Sequence, residues 1–434
     1  MVLALGSAAL RAYIMVTRVC ATNVQVSPVN AGAPRRGCHW WREPCLPAGA
    51  TACRHAVGPA LHPQRAPIVW RSGCGVDAGR RRAAAPGTAR VLRRASRWVG
   101  GTAVTARSVL GRARRAGARR TRGQRARARL YRARVSGRRT GVALLYHRIE
   151  PRLGDPAREF SPPLSCAAFT AQLEYLACHY HVVSAAEPLG AVRVVGPGRR
   201  FPVALTFDDD SPTHLRWAVP ELQRVGLPAT FFLNGASLEK PRTYWWDRLQ
   251  MGLDRGMSWE QLVPRDLLAA AAAAGVAEPT VATMAEAVLR LAPAARLALH
   301  RDLGPLVGPD PDDAGIREDE VLALVAAGFA IGFHTRDHEP LSLVDDATLL
   351  EQLRDGRDGL ERLCGHELEA VAYPHGKADP RVARAAREAG FRLGFTVEPA
   401  AAKPSTDALL VGRLDATVVP VIDDFSVALA GLLA

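Results

Sequence analysis

The 434-residue sequence has eight cysteines, and no two of them stand at a Cys-x-x-Cys spacing. That absence excludes a zinc ribbon and a thioredoxin-like redox motif. Eight cysteines in so long a chain do not build a disulfide scaffold, and they suit reduced, mostly buried thiols. No apolar run approaches the ~18 residues that would span a bilayer. The N-terminus also lacks the basic-then-apolar order of a secretory signal, because Arg11 interrupts its only apolar run. These absences predict a cytoplasmic protein with no transmembrane segment. Acidic residues are nearly missing from one third of the chain: residues 1–140 hold 29 arginines, no lysine, and only Glu43 and Asp77, a formal charge of +27. Residues 141–434 carry the opposite balance, −12. The global charge of +15 averages two unlike segments, and no specific nucleic-acid partner is expected from it.

Residues 80–139 contain 21 arginines and no acid. Such a stretch cannot offset its own repulsion by burial, so residues 1–140 are expected to be a disordered, Arg-rich extension, helical at most when bound. It reads as an electrostatic arm for nucleic acid or an anionic membrane face, or as an extension with no selected role. Order begins at Gly141. The run GVALLYHRI is a buried strand, and FPVALTFDDD is a strand ending in acids. Helix, glycine turn and strand then recur in WAVPELQRVGLPATFFL, EDEVLALVAAGFAIGFHTRDH and RVARAAREAGFRLGFTVEP. Strands alternating with helices through short connections predict a parallel α/β barrel over 141–434, with its chemistry at the strand C-terminal ends. An Ala-rich helical insertion at about 239–318 interrupts the rhythm. Its opening, YWWDRL, offers Trp245 and Trp246 as packing residues or as a substrate-facing platform.

Three motifs fall at those strand ends. In LTFDDD, Asp208 and Asp209 follow an apolar strand, and successive strand residues point opposite ways, so one carboxylate can hold a metal while its neighbour faces a water. A solvated strand end is the alternative. In FHTRDH, His334 and His338 stand four apart, and one helical turn would bring both imidazoles to one face. Two histidines and an acid from elsewhere make a three-donor set with open coordination positions, which suits catalysis. In AYPHGKAD, Pro374 and Gly376 shape a turn that can aim backbone N–H groups at one point, as an oxyanion hole or as a plain tight turn.

In these motifs and their order, roughly Val142 to Asp415 resembles the polysaccharide deacetylase family (the NodB-homology, carbohydrate esterase family 4 group). LLYHRI and GLPATFF also look like that family. The resemblance implies a distorted (β/α) barrel of the NodB-homology type. It gives Asp208 the role of catalytic base and makes Asp209, His334 and His338 the ligands of a divalent metal, Zn²⁺ foremost. The turn Pro374-His375-Gly376 would bind the oxyanion. Three positions depart from the family: Asp210 replaces a glycine, Val371 and Ala372 stand where an arginine usually braces the base, and no C-terminal Leu-x-His follows. Arg413, with Asp415 as its partner, is expected to brace Asp208 instead. His375 is the first source of a proton for the leaving amine, with His147 behind it. The resulting reading is hydrolysis of the acetamide C–N bond of an N-acetylated sugar. The rivals are a catalytically impaired carbohydrate-binding protein on the same barrel, a nucleic-acid-binding protein using the arginine arm, and a deacylase of non-sugar amides.

Overall fold

The computed structural model describes residues 106–434 apart from 240–242, 274–277 and 312–313. The disorder expected for residues 1–105 lies outside the described residues. Ten strands occur in order: β1 (Val142–Tyr146), β2 (Ile149–Glu150), β3 (Leu164–Ser165), β4 (His181–Val183), β5 (Pro202–Phe207), β6 (Thr230–Leu233), β7 (Ala330–Phe333), β8 (Ala370–Ala372), β9 (Leu393–Phe395) and β10 (Arg413–Asp415). The main sheet runs β10-β1-β5-β6-β7-β8-β9, with β4 also on β5, and every pairing is parallel. A parallel bridge from Phe395 to Val411 carries β9 toward the segment that becomes β10, so the sheet nearly closes. The expected barrel is therefore the fold.

Alternation along the strands sorts the side chains. Leu144, Tyr146, Leu205, Phe207, Phe231 and Leu233 point outward into the main core beneath the helices. Ala143, Ala204, Phe232, Ala372 and Phe395 form a second cluster on the inner face. Small residues on three of these strands, β1, β5 and β8, leave room inside the barrel for polar side chains near the strand C-terminal ends. The connection from β6 to β7 holds seven helices among the described residues, as the expected insertion, and it has its own core around Leu249, Leu267, Met284, Val288 and Leu303.

The N-terminal boundary moves. The helix Ala106–Val135 runs into the segment expected to be disordered, and its residues 121–135 are packed chain. Its Gly123, Ala126, Leu130 and Ala133 recur every three or four residues and are buried. They give a narrow stripe that packs on the C-terminal helix Ile422–Leu433, whose Leu429, Ala430 and Leu433 share the same core. Arg122, Arg125, Arg127, Arg129 and Arg132 fall between these positions and stay exposed, and Arg134 is half-buried. Charge density hid this stripe from a compositional reading.

A chain beginning at Arg138 should consequently fold less stably than one that keeps the helix. Burying Leu130 alone contributes about 1.5–3 kcal/mol, so Leu130→Asp should lower the thermal midpoint by several degrees. Equal midpoints for the full chain, the Leu130→Asp variant and the shortened chain would show that the helix packs without stabilising the barrel.

Candidate active site

Asp208 continues the inward parity of Ala204 and Thr206, although β5 has ended at Phe207. Its carboxylate is buried and receives a bidentate pair from Arg413, Nη1 to Oδ1 at 2.7 Å and Nη2 to Oδ2 at 2.6 Å. Arg413 is fully buried, donates Nε to Thr396 O at 3.0 Å, and donates Nη1 to Thr206 Oγ1 at 3.0 Å. Burial alone would raise the Asp208 carboxyl. Arg413, followed by His334, outweighs burial and holds the carboxyl below its ordinary value. The arginine missing from the β8 end is thus supplied from β10. Its partner is Asp208 and not Asp415, whose Oδ1 accepts from Thr417 N at 2.9 Å. The spacing of β10 explains this: Arg413 lies two residues deeper in the barrel, level with β5.

Asp209 does not point away from its neighbour as strand alternation would require. It lies beyond the strand with φ 68°, and this left-handed turn swings its carboxylate back into the same cavity. Oδ1 is 3.1 Å from His338 Nε2 and 3.4 Å from His334 Nε2. The two histidines are not brought together by a helical turn either. Residues 334–338 form a loop in which Thr335 (φ 67°) and His338 (φ 62°) are left-handed, and the rings sit 4.8 Å apart. His334 Nδ1 is hydrogen-bonded to Ala372 O at 2.8 Å, which leaves Nε2 facing Asp209.

One ligand atom each from Asp209, His334 and His338 lies within 4.8 Å of the others, a cluster able to hold a metal ion. The cluster fits such an ion. Asp209 Oδ1 is buried and, among the described residues, accepts no hydrogen bond, although two imidazole nitrogens face it. A cation satisfies all three donors at once. Burial would raise the Asp209 carboxyl, but the two histidines hold it well below the usual range. Burial lowers His338, whereas Asp208 and Asp209 raise His334 against the burial penalty.

Asp210, which stands in place of glycine, is not the left-handed residue of this turn. It is buried and bonds Asn234 N at 2.9 Å, Tyr244 Oη at 3.4 Å, and Ser237 Oγ. Burial pushes its carboxyl up to about 6. Asn234, which the sequence reading passed over, is the hub here. Its Nδ2 donates to His334 O at 2.7 Å and to Thr335 O at 3.3 Å, and its Oδ1 accepts from Tyr244 Oη at 2.6 Å. An asparagine directly after the apolar run TFFL, at the same strand ends as the other motifs, was the available signal.

His375 sits in the turn Pro374–Gly376 with φ 54°. A side chain at Gly376 would come within 2.3 Å of Val397 Cγ2 and 2.7 Å of Val397 N, so only glycine fits. The His375 ring is 4.6 Å from that of His338, and burial, then His338, holds it well below an ordinary imidazole. Trp246 is both a packing residue and a cleft wall. It is buried, stacks on Tyr244 at 4.3 Å, and sets its ring 4.9 Å from His338. Asp208, Asp209, His334, His338, His375, Asp415 and the half-buried His147 share one cavity of about 180 Å³, walled on the insertion side by Trp245, Trp246, Ala285 and Leu289.

Fold and site together define a parallel α/β barrel with a candidate cation site beside an ionised, guanidinium-braced carboxylate. The sequence profile of the family described as polysaccharide deacetylase matches residues 196–275 and 303–394, and the break falls inside the helical insertion. Over these residues, which make up less than half of the chain, it is similar to the polysaccharide deacetylase family, whose members are hydrolases acting on carbon–nitrogen bonds. Over 87 residues it is 24% identical to a Bacillus subtilis protein described as a polysaccharide deacetylase, YxkH; that match covers 20% of this chain and 31% of the relative's length. Among solved structures it is similar to the Streptococcus pyogenes deacetylase PplD in complex with acetate, at 17% identity over 64% of this chain and 92% of that one, with a TM-score of 0.43. IcaB from Ammonifex degensii is 21% identical over 68% of this chain and 97% of its own, with a TM-score of 0.41.

Arg413→Gln should destabilise the fold by roughly 3–5 kcal/mol, because it leaves a buried carboxylate without its counter-charge. The double variant Asp208→Asn/Arg413→Gln should recover part of that loss. The pH dependence should also change sign. In the native chain the lowered Asp208 contributes stability above the ordinary carboxylate pKa and loses it as pH falls through the folded value. Without Arg413 burial is opposed mainly by His334 and the folded pKa rises, so acidification from neutrality should narrow the gap in thermal midpoint. A gap that stays constant with pH would mean that Asp208 does not depend on this guanidinium.

Proposed function

We propose that this chain removes N-acetyl groups from an N-acetylated sugar by hydrolysing the acetamide C–N bond. The observation that carries the reading is a buried, ionised carboxylate, Asp208, in one cavity with the separate donor set Asp209, His334 and His338. A binding module has no use for a base in that position. A divalent cation on the three donors, zinc by their two-nitrogen, one-oxygen character, would polarise the acetyl carbonyl and make a water acidic enough for a carboxylate as weak as Asp208 to deprotonate.

Asp208 takes that proton, and Arg413 holds its carboxylate in one orientation. The tight turn at Gly376 presents the backbone N–H of His375 to the developing oxyanion. Burial keeps the His375 ring neutral, so it holds no proton ready for the leaving amine. His147, half-buried in the same cavity, takes that role in this reading, and its carbonyl is fixed by His214 Nε2 at 2.9 Å. Asp415 lines the cavity where a sugar hydroxyl would lie. Trp246 offers a face to the ring, and the cavity is smaller than the roughly 300–1,000 Å³ of sites for drug-sized ligands, which suits a single sugar unit at the reacting position. The free thiols Cys166, Cys178 and Cys364 accord with a cytoplasmic setting.

Acetate release from N-acetylated sugars and oligosaccharides, measured with metal analysis, tests the reading. Asp208→Asn should keep its metal and lose about 10²–10⁴-fold in rate, whereas Asp209→Asn should lose metal. Purified native chain that binds a divalent metal yet releases no acetate from any N-acetylated sugar would reject the substrate class. For the proton donor, His147→Gln should cost more in kcat than His375→Gln. The reverse order would return that role to His375.

A further inference from the structure

We propose that the outer face of the helix Ala106–Val135 is a docking surface for an anionic lipid membrane. The inner face of its described part is already committed, because Gly123, Ala126, Leu130 and Ala133 are buried against the barrel side. The exposed side is ordered rather than uniformly basic. Arg122, Arg125, Arg129 and Arg132 recur at spacings of three and four along one flank, and the exposed Arg127 stands on the other, where the half-buried Arg134 turns to the 198–199 loop. Between the flanks runs a row of Gln124, Ala128, Tyr131 and Val135, with Tyr131 68% and Val135 54% exposed. A row that is mainly small or apolar, with only Gln124 polar, bordered on both sides by arginines is the arrangement of a helix that lies in a membrane interface. The row meets the headgroup–acyl boundary, and the arginine stems reach sideways to lipid phosphates. A tyrosine at its centre carries an apolar body and a polar tip suited to that depth.

The helix and the sequence on either side of it carry one sign of charge. No acid occurs between Asp77 and Glu150. Arg134 donates to Arg199 O at 3.2 Å and to Gly198 O at 3.5 Å, which ties the helix end to a loop carrying the exposed Arg199 and Arg200. The helix is 30 residues long, roughly 45 Å by its rise per residue, so it offers an extended line of contact. Residues 141–434 carry −12 and are repelled by an anionic surface, which leaves this face to make the approach and fixes the orientation. Nucleic acid would also satisfy the charge. A duplex reader, however, needs hydrogen-bonding side chains on the face that enters the groove, and the outward row here is mainly alanine, tyrosine and valine.

Flotation of the full chain with vesicles tests the proposal. It should bind vesicles rich in phosphatidylglycerol and not pure phosphatidylcholine, and about 0.5 M salt should release it. Replacing Arg122, Arg125, Arg129 and Arg132 by Gln together should weaken binding at least about tenfold. Tyr131→Ser with Val135→Ser should weaken it while sparing the salt dependence. Both variants should keep the native circular dichroism and thermal midpoint, since none of these side chains is buried. Equal binding to neutral and anionic vesicles, unchanged binding by the quadruple variant, or duplex DNA binding without vesicle binding would each overturn the proposal.

Discussion

The barrel and its site both depend on the buried pair of Arg413 and Asp208. A guanidinium with no access to water is costly unless nearly all of its donors are used, and this one spends them on Asp208, Thr206 and Thr396. Those partners lie at the ends of β5 and β9, while Arg413 itself begins β10. The same side chain therefore spans the place where the sheet would otherwise remain open and fixes the carboxylate that the chemistry needs. Two rings of the inner cluster, Phe232 and Phe395, flank the guanidinium at 5.8 and 5.9 Å. They exclude water from it and keep the attraction strong. A brace from β10 can serve a carboxylate at the end of β5 because every strand of a parallel barrel delivers its C-terminal end to the same face.

The helical insertion is coupled to that face at two points. Tyr244 bonds Asn234, which in turn holds the carbonyls of His334 and Thr335. Arg296, buried on an insertion helix, pairs with Glu339, the residue after His338. The insertion thus supplies a wall of the cavity and also supports the backbone that carries both imidazoles. Asp210 has a place in this scheme: a glycine there would leave Asn234 N, Ser237 and Tyr244 without their common acceptor.

The barrel, its insertion and the members of the site were legible in the sequence because they rest on patterns of short range. Apolar runs ending in acids or histidines mark strand ends, and strand ends of a parallel sheet meet. Arg413 was named because the resemblance implies an arginine beside the base and none precedes Pro374, although its carboxylate is Asp208 and not Asp415. What was not legible is backbone hand. Asp209 and Asp208 face the same cavity through a left-handed turn, and His334 and His338 meet through a loop, where spacing alone argues for alternation and for a helix. Asn234 escaped because its role is made by contacts with residues 100 and 101 positions away. The buried stripe of Ala106–Val135 escaped because three small residues and one leucine are a weak signal among so many arginines.

Backbone hand is also where the site departs most from ordinary chain geometry. Among the described residues, the non-glycine residues with positive φ are Asp209, Thr335, His338 and His375, and all four belong to the loops around the cavity. Each such conformation costs of order 1–3 kcal/mol and persists only where its surroundings over-determine it. Here they do: Asp208 is clamped by Arg413 immediately before Asp209, Asn234 holds the carbonyl of Thr335, and Gly376 locks the turn at His375 against Val397. Strain concentrated at four positions lets short loops turn two carboxylates and three imidazoles inward within a few residues of the strand ends. A relaxed backbone would send alternate side chains to the helices outside. The rigid barrel, the brace from β10 and the insertion hub are therefore parts of one device, which keeps unfavourable local geometry in place so that the donors converge before any ligand arrives.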